Sequence, residues 1–154
     1  MSELRDLYQE IILDHNKRPR NFRRPEHATH QARGDNPLCG DKVTVYLTVE
    51  DGVVKDVAFE GRGCAISTAS ASLMTEIVKG RRIEEARELF RRFHEMVTGT
   101  VPEGTDAEDL EKLQVLSGVR EYPMRVKCAT LSWHTLAAAL DGVAAPVSTE
   151  KPGD

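Results

Sequence analysis

The chain has 154 residues, the size of one ordinary domain, which is enough to bury a core without disulfides. Charged residues make up 30% of it and the formal net charge is -4, so we expect neither nucleic acid nor a membrane as a partner. No apolar run reaches the length of a membrane span and no secretory signal is visible, which predicts a cytoplasmic protein. Three cysteines in a reducing compartment favour metal binding or thiol chemistry over a disulfide framework.

Hydrophobic periodicity predicts a small sheet followed by helices. Apolar residues three and four positions apart indicate helices, and strict alternation indicates strands. The predicted elements in chain order are a helix over 2–16, strands over 43–49 and 53–60 joined by a turn at 50–52, and helices over 66–79, 83–97, 106–116 and 124–140. An isolated hairpin is rarely stable, so a further strand is expected before it, although the residues before Asp35 barely show one.

This order of elements predicts the fold class. Strands first and helices afterwards indicate an α+β domain, with a small antiparallel three-stranded sheet and helices packed on one of its faces. We expect a single domain over residues 1–142. Residues 143–154 contain two prolines and no periodicity, which is typical of a disordered tail.

A basic stretch follows the first predicted helix. Its members are Lys17, Arg18, Arg20, Arg23 and Arg24. A solvated connection between elements is the favoured interpretation, and docking on an acidic partner surface is the alternative. Nucleic-acid binding is less favoured, because one phenylalanine among these residues does not make a stacking platform.

Three cysteines and one aspartate are the candidate metal ligands: Cys39, Asp41, Cys64 and Cys128. Cys39 and Cys64 lie in glycine-containing turns with little core to fill, so they are unlike cysteines that serve only as small apolar residues. Cys128 could face inward on the last predicted helix. However, a position in the first turn would expose it to free N–H groups and the positive helix end, which lower the pKa of a thiol.

The spacing alone does not establish a shared site, because there is no Cys-x-x-Cys pair. Three thiolates and one carboxylate nevertheless suit a tetrahedral ion, and zinc in particular. Such a set carries more negative charge than a divalent ion cancels, so nearby cations or hydrogen-bond donors are needed. Arg125 and Lys127 flank Cys128, and Arg62 lies just before Cys64, which makes them the candidate cations.

At these residues the chain resembles the SufU branch of the IscU/NifU-type iron–sulfur cluster assembly family. Four motifs carry the resemblance: HNKRPRNF at 15–22, GDNPLCGD at 34–41, FEGRGCAIS at 59–67 and RVKCATL at 125–131. IscU scaffolds have a histidine where this chain has Lys127, and they carry a Leu-Pro-Pro-Val-Lys motif that is absent here. The stretch 89–119 is similar to the insertion of SufU proteins. These differences favour the SufU branch.

The resemblance implies a zinc-dependent sulfurtransferase. Its zinc ligands would be Cys39, Asp41, Cys64 and Cys128, and Cys39 would accept persulfide sulfur from a pyridoxal-phosphate cysteine desulfurase of the SufS type. A partner side chain would replace Cys39 on zinc, and Arg125 would help to stabilise the released thiolate. Two alternatives stay open. The chain could be a scaffold on which a transient iron–sulfur cluster is assembled and passed to downstream assembly machinery, or a protein with purely structural zinc.

Overall fold

The computed structural model describes residues 2–36, 40–98, 123–141 and 147–148, and in them a sheet carries helices on one face. The helices are α1 (Ser2–Lys17), α2 (Ala65–Val78), α3 (Ile83–Thr98) and α4 (Pro123–Asp141). The strands are β1 (His30–Asn36), β2 (Asp41–Glu50), β3 (Val53–Arg62) and β4 (Val147–Ser148), in the order β3-β2-β1-β4. None of the helices in these ranges combines the length and apolar content needed to cross a membrane.

The predicted α+β class and the antiparallel sheet of three strands are confirmed. β1, β2 and β3 pair antiparallel, and β2 and β3 are joined by a two-residue turn at Asp51 and Gly52. The strand expected before the hairpin is present as β1. Its buried positions are Ala32, Gly34 and Asn36, none of them a large apolar residue, which explains why alternation barely shows it. The helix predicted over 106–116 lies outside the described residues.

The core lies between one face of the sheet and the helices. Inward residues of β2 alternate as predicted, whereas β3 has a register shift opposite Thr48 and Val49. α2 and α4 pack on the inward face of the sheet, and α1 packs on α2. The buried inward positions are Val43, Val45, Leu47, Val54, Val57 and Phe59. Trp133 of α4 is fully buried, and its ring packs against that of Phe93 of α3. Burial of each large apolar side chain stabilises the fold by about 1.5–3 kcal/mol.

Gly34 determines how closely α4 approaches β1. A Cβ atom at this position would lie 2.1 Å from Oγ1 of Thr135 and 3.2 Å from Cδ1 of Leu131. Cys128 lies seven residues before Thr135, which is two helical turns and therefore the same face of α4. The close contact at Gly34 thus helps to place Cys128 over the end of β1.

Internal ion pairs hold the connection between α1 and β1. Arg20 pairs with Asp14 at 2.7 Å, and Arg23 pairs with Asp56 of β3 at 2.6 Å. The backbone of the connection also pairs with β3, since the N–H of Arg23 donates to the carbonyl of Phe59 at 3.1 Å. These contacts support a structural role for this part of the basic stretch.

The structure corrects the predicted disordered tail at two residues. Val147 and Ser148 form β4 and pair in parallel with Gly34 and Asp35 of β1. An edge strand presents unpaired N–H and C=O groups, and a neighbouring extended segment can satisfy them without any periodic apolar pattern of its own. Residues 143–146 and 149–154 of the predicted tail lie outside the described residues.

Candidate metal centre

Three of the four predicted ligands meet at one end of the sheet. Asp41 begins β2, Cys64 immediately precedes α2, and Cys128 lies on α4. One ligand atom from each side chain lies within 4.8 Å of the other two, and no other group of three such residues in the described ranges is this close. Ligands at zinc–sulfur and zinc–oxygen distances are about 3.3–3.8 Å apart in a tetrahedron. The donor types suit a zinc ion, and ligand atoms as far as 4.8 Å apart would draw closer together to hold one.

Cys39, the fourth predicted ligand, lies outside the described residues. The residues on either side of it are described: Asn36 pairs with Asp41 across β1 and β2, and the N–H of Gly40 donates to the carbonyl of Asn36 at 2.8 Å. Cys39 precedes Asp41 by two residues, a separation that spans at most about 7 Å of chain. Its role as a ligand stays a prediction.

The carboxylate of Asp41 is held by the main chain beside Cys64. Asp41 is 0% exposed, its Oδ1 accepts a hydrogen bond from the N–H of Cys64 at 3.0 Å, and its Oδ2 lies 3.9 Å from Sγ of Cys64. A Cβ atom on Gly63 would lie 2.6 Å from Oδ1 of Asp41. Only glycine at position 63 leaves room for this carboxylate.

Cys64 is the N-cap residue of α2. Its backbone is extended, with φ -70° and ψ 169°, and its Sγ accepts a hydrogen bond from the N–H of Ser67 at 3.4 Å. The thiol of Cys128 and the N–H groups of Ser67 and Ile66 lower the pKa of Cys64 to about 6, although burial and Asp41 act in the opposite direction. The same hydrogen bond with Cys64, together with burial and Asp41, raises the pKa of Cys128. In the metal-free chain the thiol of Cys64 therefore ionises in preference to that of Cys128.

The predicted first-turn position of Cys128 is wrong by one turn. α4 begins at Pro123, so Cys128 is the sixth residue of this helix. Proline is favoured at the first helical position because it has no N–H to leave unpaired. The free N–H groups of a helix end with its first four residues. The helix terminus that faces the sulfur ligands is therefore that of α2, at Cys64, and the glycine-rich turn ending directly before a helical pattern was its sequence signal.

Each of the three described candidate ligands receives at least one N–H donor. Cys64 N–H donates to Asp41 and Ser67 N–H donates to Cys64, whereas the side-chain Nδ2 of Asn36 lies 3.9 Å from Sγ of Cys128. Asn36 was not among the predicted site residues, because an asparagine before a proline is typical of a turn. Its place two residues after Gly34, on the inward face of β1, was the available signal.

The predicted cations lie at the same end of the molecule. Arg125 is exposed and lies one helical turn before Cys128, Lys127 is half-buried, and Arg62 is exposed at the end of β3. The predicted role of Arg125 toward a released thiolate stays a prediction.

Fold and site together define a class: a small α+β protein with one aspartate and two cysteines that could hold a metal ion at the end of its sheet. The profile of the NifU-like N terminal domain matches residues 7–129, and the chain belongs to this family. The predicted resemblance to SufU- and IscU-type iron–sulfur cluster assembly proteins is confirmed.

Two relatives and one solved structure show the extent of the similarity. The iron–sulfur cluster assembly scaffold protein IscU of Thermotoga maritima is 44% identical over 140 residues, covering 91% of this chain and 96% of the relative. The zinc-dependent sulfurtransferase SufU of Bacillus subtilis is 41% identical over 135 residues, covering 88% and 90%. The crystal structure of the N-terminal part of a nitrogen-fixing NifU-like protein from Brucella abortus matches with a TM-score of 0.80 at 27% identity, covering 91% and 96%.

Proposed function

We propose that the chain is a zinc-dependent sulfur acceptor in iron–sulfur cluster assembly, with Cys39 as the acceptor. The observation that carries the proposal is the convergence of Asp41, Cys64 and Cys128, whose ligand atoms lie within 4.8 Å of one another, and Cys39 precedes Asp41 by two residues in the sequence. These four residues would hold Zn²⁺, which when bound keeps sulfur ligands deprotonated at neutral pH.

The partner is a pyridoxal-phosphate cysteine desulfurase of the SufS type, and the recipients are the downstream components of cluster assembly. The similarity to a zinc-dependent sulfurtransferase over 88% of this chain supports this assignment. A partner protein could reach the site through Cys64, which is exposed, whereas Cys128 is buried.

Sulfur transfer at Cys39 is a thiolate exchange at sulfur. The Cys39 thiolate attacks the terminal sulfur of the desulfurase persulfide and forms a new S–S bond. The old S–S bond breaks, and its electron pair leaves with the desulfurase cysteine as a thiolate. The terminal sulfur keeps its proton as it moves to Cys39. Cys39 therefore ends as a persulfide, and the exchange involves no net oxidation. Asp41 and Cys64 keep their main-chain donors throughout, and Arg125 contributes positive charge near the exchanging sulfurs.

A persulfide transfer assay tests the proposal. Incubation with a cysteine desulfurase and cysteine should add the mass of one sulfur atom to the peptide that contains Cys39. Cys39→Ala should abolish this labelling while most of the zinc is retained, because three ligands stay in place. Asp41→Ala should instead reduce zinc retention. Labelling of Cys39→Ala at the wild-type level would show that Cys39 is not the acceptor.

A cluster scaffold is the second candidate function. The similarity to a protein named as an iron–sulfur cluster assembly scaffold, at 44% identity, favours it, and the same three cysteines could ligate iron. Half-buried Lys127, adjacent to Cys128, is a poor metal ligand and weighs against it. Metal analysis after anaerobic purification separates the two: zinc without cluster absorbance supports sulfur transfer, and iron with equal sulfide supports the scaffold.

A further inference from the structure

Asn36 is a wholly buried amide at the edge of the metal centre. It is the last residue of β1, it is 0% exposed, and its side chain lies on the inward face opposite Asp41. Its Nδ2 lies 3.9 Å from Sγ of Cys128, within reach of a weak N–H···S hydrogen bond. The amide therefore reaches from the sheet to a ligand on α4.

The amide is costly at this position. Its Oδ1 is buried and has no hydrogen-bond partner within the described residues, and a buried carbonyl oxygen without a donor reduces stability. Leucine has the same branching and the same number of side-chain heavy atoms, and it would fill the space without a buried polar atom. A space-filling role therefore does not explain an asparagine here, whereas a donor directed at Cys128 does.

Asn36 donates from its side chain, unlike the main-chain donors to Asp41 and Cys64. The donors to Asp41 and Cys64 are the main-chain N–H groups of Cys64 and Ser67. Cys128 lies in the second turn of α4, where main-chain N–H groups are used within the helix, and the Asn36 donor reaches it from another element, β1. The Asn36 amide supplies an N–H donor to Sγ of Cys128 from outside the helix that carries this cysteine.

We propose that Asn36 is a positioning residue of the metal centre. Its side-chain N–H orients the sulfur of Cys128 and offsets its negative charge, which makes Cys128 a firmly held ligand while Cys39 exchanges. Outer hydrogen bonds of this kind orient metal ligands and tune their donor strength. The inference rests on the proposed function only in taking the cluster to be a metal centre.

Equilibrium metal binding by the full chain tests the role of Asn36. Asn36→Leu should weaken Zn²⁺ binding roughly tenfold in competition with a chromophoric chelator, which is the lower end of such losses. In the Co²⁺-substituted protein the sulfur-to-metal charge-transfer band should move to longer wavelength, because a thiolate without its N–H partner is a stronger donor. The metal-free variant should unfold at the same temperature as the wild type or higher, as followed by the fluorescence of Trp133, the single tryptophan.

Ser132→Ala is the matched control. Ser132 also has a buried side-chain oxygen without a partner among the described residues, on the same helix as Cys128. Its replacement should leave both zinc affinity and the Co²⁺ spectrum unchanged. Asn36→Ala provides a smaller substitution if Asn36→Leu does not fold, with the same expected loss of affinity and the same band shift. A folded variant that binds Zn²⁺ as tightly as the wild type, with an unshifted band, overturns the role of Asn36. No desulfurase takes part, so a failure of sulfur transfer would contradict the proposed function without altering these affinities.

Discussion

The backbone N–H of Cys64 donates to Oδ1 of Asp41 at 3.0 Å, so the main chain itself joins two of the candidate metal ligands. Asp41 opens β2 and Cys64 caps α2, so the contact connects the sheet to the first turn of a helix. Asp41 is completely buried, and its charge is offset there by an N–H that no side-chain substitution removes. The two ligands are preorganised by backbone geometry, which lowers the cost of binding an ion.

Gly63→Ala should weaken metal binding through Asp41. The new Cβ would lie 2.6 Å from Oδ1 of Asp41 and would displace the carboxylate. We expect a roughly tenfold or larger loss of Zn²⁺ affinity, measured by chelator competition. A double-mutant cycle provides the control: Gly63→Ala should add little in an Asp41→Ala background. Equal losses in both backgrounds would show that Gly63 acts by another route.

Gly34→Ala should loosen the contact between α4 and β1. The added Cβ would lie 2.1 Å from Oγ1 of Thr135, and overpacking of this kind costs about 1–3 kcal/mol in the free energy of unfolding. Thr135→Ala removes the clashing oxygen, whose only hydrogen bond among the described residues runs to the carbonyl of Leu131 on its own helix. Urea denaturation of Gly34→Ala/Thr135→Ala should therefore recover at least half of the loss. A double variant less stable than Gly34→Ala would contradict this.

Cys64 and Cys128 should differ in their rates of alkylation. In the metal-free chain Cys64 is exposed and the Cys128 hydrogen bond lowers its pKa to about 6, whereas Cys128 is 2% exposed and its pKa is raised. Peptide mass spectrometry after brief iodoacetamide treatment near neutral pH should show Cys64 modified at least about tenfold faster. Saturation with Zn²⁺ should protect Cys64. Comparable rates for the two thiols in the folded, metal-free chain would be inconsistent with the described geometry.

His15 should make stability fall in mildly acidic solution. Its Nδ1 is hydrogen-bonded to Oγ of Ser72 at 2.7 Å, and burial and then Arg20 lower its pKa, with Glu76 and Asp14 opposing. The unfolded chain therefore binds a proton near pH 6.5 that the folded chain takes up only at lower pH. The contribution of His15 to the free energy of unfolding is therefore complete above about pH 6.5, and it decreases as the pH falls below that value.

The comparison for His15 uses two asparagine variants. His15→Asn keeps a hydrogen-bonding group near Ser72 but does not titrate, so its urea midpoint should change less than that of the wild type between about pH 7.5 and about pH 5.5. His27→Asn removes an exposed histidine and should keep the wild-type pH dependence. The same pH slope in His15→Asn and the wild type would exclude the buried imidazole as the cause.

Local patterns were sufficient for most of the secondary structure. The hairpin of β2 and β3 follows from alternation and an Asp-Gly turn, and α1, α2 and α3 follow from apolar spacing, each within one or two residues. β1 was nearly invisible, because α4 approaches it so closely that its inward residues are small or polar. β4 has only two residues and depends on an edge that another part of the chain provides.

The residues that could bind a metal ion were predictable from the sequence. The N–H groups that donate hydrogen bonds to them were not. Residue type and resemblance identify Asp41, Cys64 and Cys128, and the structure brings these three together. The helix end that faces the sulfurs was assigned to the wrong element, since the start of α4 depends on Pro123 and not on apolar spacing. Asn36 escaped notice because its burial depends on α4, which is far away in the sequence.

The three candidate ligands come from distant parts of the chain, so an ion bound by them would act as a reversible cross-link. Asp41 and Cys64 are 23 residues apart, and Cys128 follows Cys64 by 64 residues. An ion held by all three closes both intervening loops at once, a constraint that the unfolded chain does not bear. By mass action, tighter binding to the folded state raises the melting temperature as free zinc rises. With such an ion bound, release of one ligand would open a closed loop and lower the melting temperature. Calorimetry would measure that decrease.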